Sequence, residues 1–427
     1  MKNGFLKEPP MGWNSWDCYG AGVTEEILLA NAAFMRDRLK PLGYEYVCCD
    51  IQWSEPNAHG TGYHKFTELC MDEYSRLIPA ENRFPSAAGG KGFGPLAAKI
   101  HDMGLKFGIH IMRGVPRQAV HRNTPIKCPG VTARDIAATY SICPWNTDMY
   151  GVDRSVPGAQ EYYDSLFELY ASWGVDYVKV DDIAKSELTP NDRYSCRGEV
   201  EMIREAIRRC GRPIVLSLSP GPATLSAHEH LAEWADLWRI SEDFWDEWRC
   251  LRENFDLCRD WAPYVQPGSY PDCDMLPLGT ISIYGEYRDT GRYTRFTHEE
   301  QKTMMTLWCI FGSPLIIGGD LPTMDEYGLS LLTNPRIAAM DKTTREPEEV
   351  SREDDVIVWR SRRVGGGRYL AVFNVGEEEK TVSLDVAALA PEAKTVTDLW
   401  SGCGVAPEGG RAAFRLPAHG AAAVLAE

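Results

Sequence analysis

Gly174-Val175-Asp176-Tyr177-Val178-Lys179-Val180-Asp181 decides how the rest of this chain is read. A glycine opens the run, β-branched and aromatic residues fill it, and a carboxylate closes it. That is the composition of a short strand carrying its chemistry at the carboxyl end. The same grammar returns in Tyr46-Val47-Cys48-Cys49-Asp50, in Leu237-Trp238-Arg239-Ile240-Ser241-Glu242-Asp243 and in Leu315-Ile316-Ile317-Gly318-Gly319-Asp320. Apolar runs without alternation belong to strands covered on both faces. Acids gathered at the carboxyl ends of several such strands read as the active site of a parallel barrel.

Outward from these runs, the pattern predicts strands over 12–15, 46–50, 106–112, 177–181, 214–218, 237–240, 272–275 and 315–318. Helix-period segments separate them. Val200, Ile203, Ile207 and Cys210 fall on one helical face. Thr297 and Glu300 form a capping box ahead of Met304, Leu307, Trp308 and Phe311. Eight strands alternating with helices predict a (β/α)8 barrel over residues 1–340. The pattern then changes to short strands at 356–359, 369–373, 381–386, 394–399, 412–416 and 421–426, broken by Gly365-Gly366-Gly367 and Glu377-Glu378-Glu379-Lys380. Such spacing predicts a C-terminal antiparallel β-sandwich domain over 341–427, with few candidate catalytic residues and a supporting role. Two connections are unusually long, 52–94 and 113–156, and loops of that length are commonly functional. The second holds Arg113, Arg117, Cys143-Pro144-Trp145 and Asp148, material suited to roofing a pocket.

A net charge of −16 over 427 residues argues against nucleic acid or an anionic membrane surface as partner. The first residues lack the apolar core of a secretory signal, and no run of 18 apolar residues suggests a membrane span. Thirteen cysteines, an odd number without a C-x-x-C pair, read as free thiols, so a cytoplasmic protein is expected. His228-Glu229-His230 lacks the i, i+4 spacing of a helical zinc pair and reads as a solvated helix. Gly89-Gly90-Lys91-Gly92-Phe93-Gly94 lacks the ending of a phosphate loop, and there is no Gly-x-Ser-x-Gly elbow. The expectation is an enzyme without cofactor or metal. Its oligomeric state is not encoded in any motif.

Several motifs together carry a resemblance. Pro9-Pro10-Met11-Gly12-Trp13-Asn14-Ser15-Trp16, the run ending in Asp50, Arg83-Phe84-Pro85, Gly104-Leu105-Lys106-Phe107-Gly108-Ile109, the run ending in Asp181 and the Leu307-Trp308 to Ser313-Pro314-Leu315 segment resemble glycoside hydrolase family 27, in family order over roughly residues 8–345. That family holds α-galactosidases and α-N-acetylgalactosaminidases. The resemblance implies a retaining exo-glycosidase that removes terminal α-linked galactose or N-acetylgalactosamine from an oligosaccharide or glycoconjugate. It implies Asp181 as the nucleophile and Asp243 as the acid/base. Trp16 would be the aromatic floor under the sugar, Asp50 would hold an outer hydroxyl, and Lys179, His110, Ser219 and Arg239 would complete the substrate site. Physical chemistry agrees with this division of roles. Asp181 must stay ionised to attack the anomeric carbon, with Lys179 lowering its pKa, while Asp243 must deliver a proton and later remove one from water. Asp236, Glu242 and Asp246 compete with Asp243 on sequence alone.

Three positions depart from the family pattern. Ile51 stands where a second acid usually follows Asp50, His110 where a tyrosine is usual, and Ser219 where galactose-specific members have Glu. An aliphatic side chain cannot accept from a sugar hydroxyl, and leaving one unpaired costs ~1–3 kcal/mol. A different sugar on the same fold, a β-L-arabinopyranoside or an α-glucoside, is therefore the alternative, with a non-catalytic carbohydrate-binding barrel behind it.

Overall fold

The computed structural model describes residues 4–183, 196–219, 221–284 and 291–427. Eight parallel strands form one sheet: β1 (Met11–Asn14), β2 (Tyr46–Cys49), β3 (Lys106–Met112), β4 (Tyr177–Asp181), β5 (Val215–Leu218), β6 (Leu237–Arg239), β7 (Tyr270–Asp272) and β8 (Leu315–Ile317). Their order runs β7-β6-β5-β4-β3-β2-β1-β8. Leu276 closes the ring. Its N–H donates to the Ile316 carbonyl at 2.8 Å, and its carbonyl accepts from Gly318 N–H at 2.9 Å. The architecture is a (β/α)8 barrel, as the strand grammar predicts. The seventh strand lies two residues earlier than expected, because its Tyr270 and Pro271 pair with β6 while the segment from Cys273 onward turns over the barrel end.

Helices α1 (Glu25–Arg38), α2 (Gly94–Asp102), α3 (Ala159–Trp173), α4 (Arg197–Arg209), α5 (His228–Trp234), α6 (Trp248–Trp261) and α7 (His298–Phe311) cover the sheet. The capping box at α7 is present in full: Thr297 Oγ1 accepts from Glu300 N–H and Glu300 Oε2 accepts from Thr297 N–H. Two orphan donors at the helix start are thereby satisfied. The connection 113–156 is not an irregular loop. It holds a small antiparallel sheet of Val115–Pro116, Met149–Val152 and Ala137–Ile142, with two short helices.

Register positions the chemistry. His110 pairs with Lys179, and Lys179 with Ser217, in one layer of the barrel. Two residues further along each strand, side chains return to the same face. Asp181, Ser219 and Arg239 therefore form the next layer up, at the carboxyl ends of β4, β5 and β6.

Beyond helix Pro335–Thr343 the chain builds β9 (Thr344–Glu353), β10 (Val356–Arg363), β11 (Arg368–Asn374), β12 (Lys380–Asp385), β13 (Val396–Asp398), β14 (Arg411–Leu416) and β15 (Ala421–Ala426). Five make a sheet in the order β9-β10-β11-β15-β13, and β12 pairs with β14. Leu370, Leu384, Ala412 and Val424 are buried together between the two layers, the interior of an antiparallel sandwich. The other face packs against the barrel, where Phe373 meets Phe255 of α6 and Trp359 meets Phe311 of α7, both edge to face.

Candidate active site

Asp181 ends β4 inside the barrel mouth, and its carboxylate is held from two sides. His110 Nε2 lies 3.0 Å from Oδ2, and the Asp182 N–H donates to Oδ1 at 2.8 Å. Burial alone would raise this carboxyl. The hydrogen bond and charge of His110, then Lys179, outweigh that effect and hold it below the usual carboxylate range. An ionised carboxylate only accepts, so Nε2 of His110 carries the proton.

Lys179 makes its ion pair with Asp50, Nζ to Oδ2 at 3.1 Å, rather than with Asp181. Asn14 Nδ2 donates to the same oxygen at 2.8 Å, and the Ile51 N–H donates to Oδ1 at 2.8 Å. Burial would raise Asp50, but Lys179 and His110 prevail and bring it down to about 2. A buried acid with a lysine and two further donors stays charged.

Asp243 is set differently. Its side chain is 66% exposed and is tethered by Arg239, Nη2 to Oδ1 at 3.1 Å. Arg239 is itself buried and pairs also with Asp274 at 2.9 Å. Two of the three competitors for the role of Asp243 are engaged elsewhere. Asp236 accepts from Arg204 and from the Leu216 N–H. Asp246 holds Arg292 and the Arg295 N–H. Glu242 remains near, on the same cavity wall.

Trp16, Asp50, Lys179, Asp181, Ser219, Arg239 and Asp243 line one cavity of about 270 Å³. Seven of the eight residues singled out by sequence thus converge. His110 does not reach the wall; it stands behind and acts on Asp181. Tyr63 from the connection 52–94 stacks 5.9 Å from Trp16 and packs 5.5 Å from Trp145, so both long connections contribute to the rim. Arg113 of the second connection lies behind the site, paired with Asp182 and Glu199. Asp320 closes β8 as the pattern suggests, yet serves the scaffold by accepting from Tyr19 Oη at 2.7 Å and from Thr323. His230 is buried against Glu201 at 3.0 Å, so the histidine pair is not simply a solvated helix.

Sequence reasoning missed Asp17 and Asp274, both buried and both on the cavity wall. Asp17 directly follows Trp16, and its position beside an expected sugar floor was the available signal. Burial, then Asp274, pushes the Asp17 carboxyl well up. Ile51 is 2% exposed and lies in an apolar patch with Met112, Cys143 and Met149, against Trp16, Tyr63 and Trp145 of the rim.

Two family models match: Alpha galactosidase A over residues 147–343 and the Alpha galactosidase C-terminal beta sandwich domain over residues 353–426. A family 27 β-L-arabinopyranosidase from Geobacillus stearothermophilus superimposes with a TM-score of 0.95 at 54% identity, covering 99% of this chain and 97% of that one. The chain belongs to glycoside hydrolase family 27. A Bacillus halodurans protein proposed as an α-N-acetylgalactosaminidase matches this family 27 chain with a TM-score of 0.88 at 47% identity, over 100% of this chain and 99% of that one. Alpha-galactosidase 2 of Arabidopsis thaliana is 26% identical over 94% of this chain and 84% of its own length. The family 27 chain is thus a glycoside hydrolase whose relatives divide among three sugars.

Proposed function

We propose that this enzyme removes terminal sugars of the galactose configuration with retention, through a covalent glycosyl-enzyme on Asp181. One observation carries the reading: a buried carboxylate held ionised and a largely exposed one share a single cavity of about 270 Å³. Asp181 attacks the anomeric carbon while Asp243 protonates the departing oxygen. Asp243 then takes a proton from water as that water releases the sugar from Asp181. Lys179 and Asp50 grip an outer hydroxyl, and Trp16 supplies the apolar floor. A cavity of this size suits one pyranose ring, hence exo action.

Within that configuration the apolar patch that buries Ile51 behind the lining residues Trp16, Tyr63 and Trp145 favours a ring without a hydroxymethyl arm. β-L-Arabinopyranose is α-D-galactopyranose lacking that arm, so every other hydroxyl keeps its partner. The 54% identity to a β-L-arabinopyranosidase supports this choice. The second reading is N-acetylgalactosamine, favoured by Ser219, whose small side chain leaves room beside C2; plain α-galactosides lie between the two. A panel of aryl β-L-arabinopyranoside, α-D-galactoside and α-N-acetylgalactosaminide tests the proposal. The highest kcat/KM is expected for the first, and turnover of none would overturn the reading. All thirteen cysteines are free thiols, which supports the further proposal of a reducing, cytoplasmic setting.

A further inference from the structure

The two long connections are fastened together beside the catalytic cavity. Tyr63 meets Trp145 at 5.5 Å, and three residues on, the Phe66 N–H donates to Thr147 Oγ1 at 2.8 Å. Tyr63 and Trp145 face the catalytic cavity. Phe66 and Thr147 instead line a second cavity of about 250 Å³, together with Arg117, His121 and Asp148. Three residues of chain span at most ~10 Å, so the two cavities are lined by near neighbours on the same connection.

The second cavity has features that folding alone does not explain. Phe66 is 71% exposed and sits at φ +57°, a left-handed conformation that a bulky side chain adopts only under strain. The Arg117 guanidinium lies 4.8 Å from the centroid of Phe66 and 4.8 Å from that of Tyr150, and its buried Nε has no hydrogen-bond partner. Among the described residues, no carboxylate lies within ion-pair distance of Arg117. The backbone beneath is tied to the first connection, since Gln118 both accepts from and donates to Leu69 at 2.8 and 2.9 Å. The exposed Phe66 ring, beside a guanidinium whose outer nitrogens make no hydrogen bond or ion pair with the described residues, has the makings of a sugar platform: C–H faces stack on the ring and hydroxyls meet those outer donors.

We infer that the Phe66–Arg117 cavity is a leaving-group subsite, binding a pyranose unit of the oligosaccharide whose terminal sugar occupies the catalytic cavity. The inference rests on the glycosidase reading above. The subsite makes no contact with a small aryl aglycone, so it discriminates glycans by the chain beyond the scissile bond.

The test compares Phe66→Ala, Phe66→Tyr and Arg117→Gln with the unaltered enzyme. Each is assayed on a nitrophenyl glycoside and on an oligosaccharide with the same terminal sugar followed by two further pyranose units. For Phe66→Ala and Arg117→Gln, kcat/KM on the oligosaccharide should fall about five- to tenfold through KM, the scale of one lost aromatic contact, with the nitrophenyl glycoside unchanged. Phe66→Tyr should retain the oligosaccharide rate. Equal losses on both substrates, or no loss on either, overturn the subsite. Calorimetric titration of the same proteins with the oligosaccharide separates this inference from the glycosidase reading. If no substrate is turned over, the glycosidase reading fails, and the subsite stands or falls on whether Phe66→Ala weakens binding at least fivefold.

Discussion

His110 Nε2 stands 3.0 Å from Asp181 Oδ2, a ring N–H donor placed on β3 to face the carboxylate one strand away on β4. It makes His110 a positioning residue that acts through Asp181. A hydrogen bond to a charged acceptor contributes ~1.5–3 kcal/mol, equivalent to about one to two pKa units. As the proposed nucleophile Asp181 acts ionised, so activity should fall as pH drops through its pKa. Replacing His110 with Phe should raise that pKa and move the acid limb of the kcat/KM profile to higher pH. An acid limb that stays in place would assign His110 to packing alone.

The contrast between a buried Asp181 and an exposed Asp243 predicts different losses. Asp181→Asn should abolish turnover of every glycoside, since an amide does not form the glycosyl-enzyme. Asp243→Asn should slow substrates with poor leaving groups by ~10²–10⁴-fold and spare dinitrophenyl glycosides in the first step. A plot of rate against leaving-group pKa reads this directly: a steep slope in the variant and a shallow one in the parent. Equal losses across the series would hand the acid/base role to Glu242, the neighbouring carboxylate on the wall.

Ile51 supplies the specificity prediction. Ile51→Asp places an acceptor where the apolar patch now stands, and a galactoside hydroxymethyl group can use it. The ratio of kcat/KM for α-D-galactoside over β-L-arabinopyranoside should rise by ~10–200-fold, the range for one gained or lost pocket contact. Ser219→Glu should act at C2 instead, depressing any turnover of the 2-acetamido sugar while leaving that ratio nearly constant.

The barrel was legible because its strands are buried on both faces, which leaves uninterrupted apolar runs, and because each ends in the residue that matters. The first strand of the sandwich was not. Thr344-Arg345-Glu346-Pro347-Glu348-Glu349-Val350-Ser351-Arg352-Glu353 is an edge strand, mostly exposed and rich in charge, and so carries no apolar alternation. The carboxylates at strand ends could be seen, yet their tasks could not. Asp50, Asp181 and Asp320 look alike in sequence, and only the register shows that the first two share a cavity while the third braces Tyr19. The inward turn of Asp274 depends on the closure between β7 and β8, a contact between distant segments that no local pattern records.

Asp182 gives a prediction about stability. It follows the proposed nucleophile at φ +55° and pairs with Arg113 at 2.9 Å, but Arg113 also serves Glu199. One cation cannot neutralise two buried carboxylates with Asp181 beside them, and burial raises Asp182 to about 7. The folded state therefore holds this proton more tightly than the unfolded chain, whose Asp titrates near ~3.9. The resulting stabilisation is present in full below that value and is lost as pH rises through about 7. Asp182→Asn mimics the protonated form and removes the dependence. Relative to the parent, the variant should gain a few kcal/mol, on the order of 3, in unfolding free energy between pH 4 and pH 8. Urea titrations across that interval measure the difference. A constant offset would mean that Arg113 keeps Asp182 charged throughout.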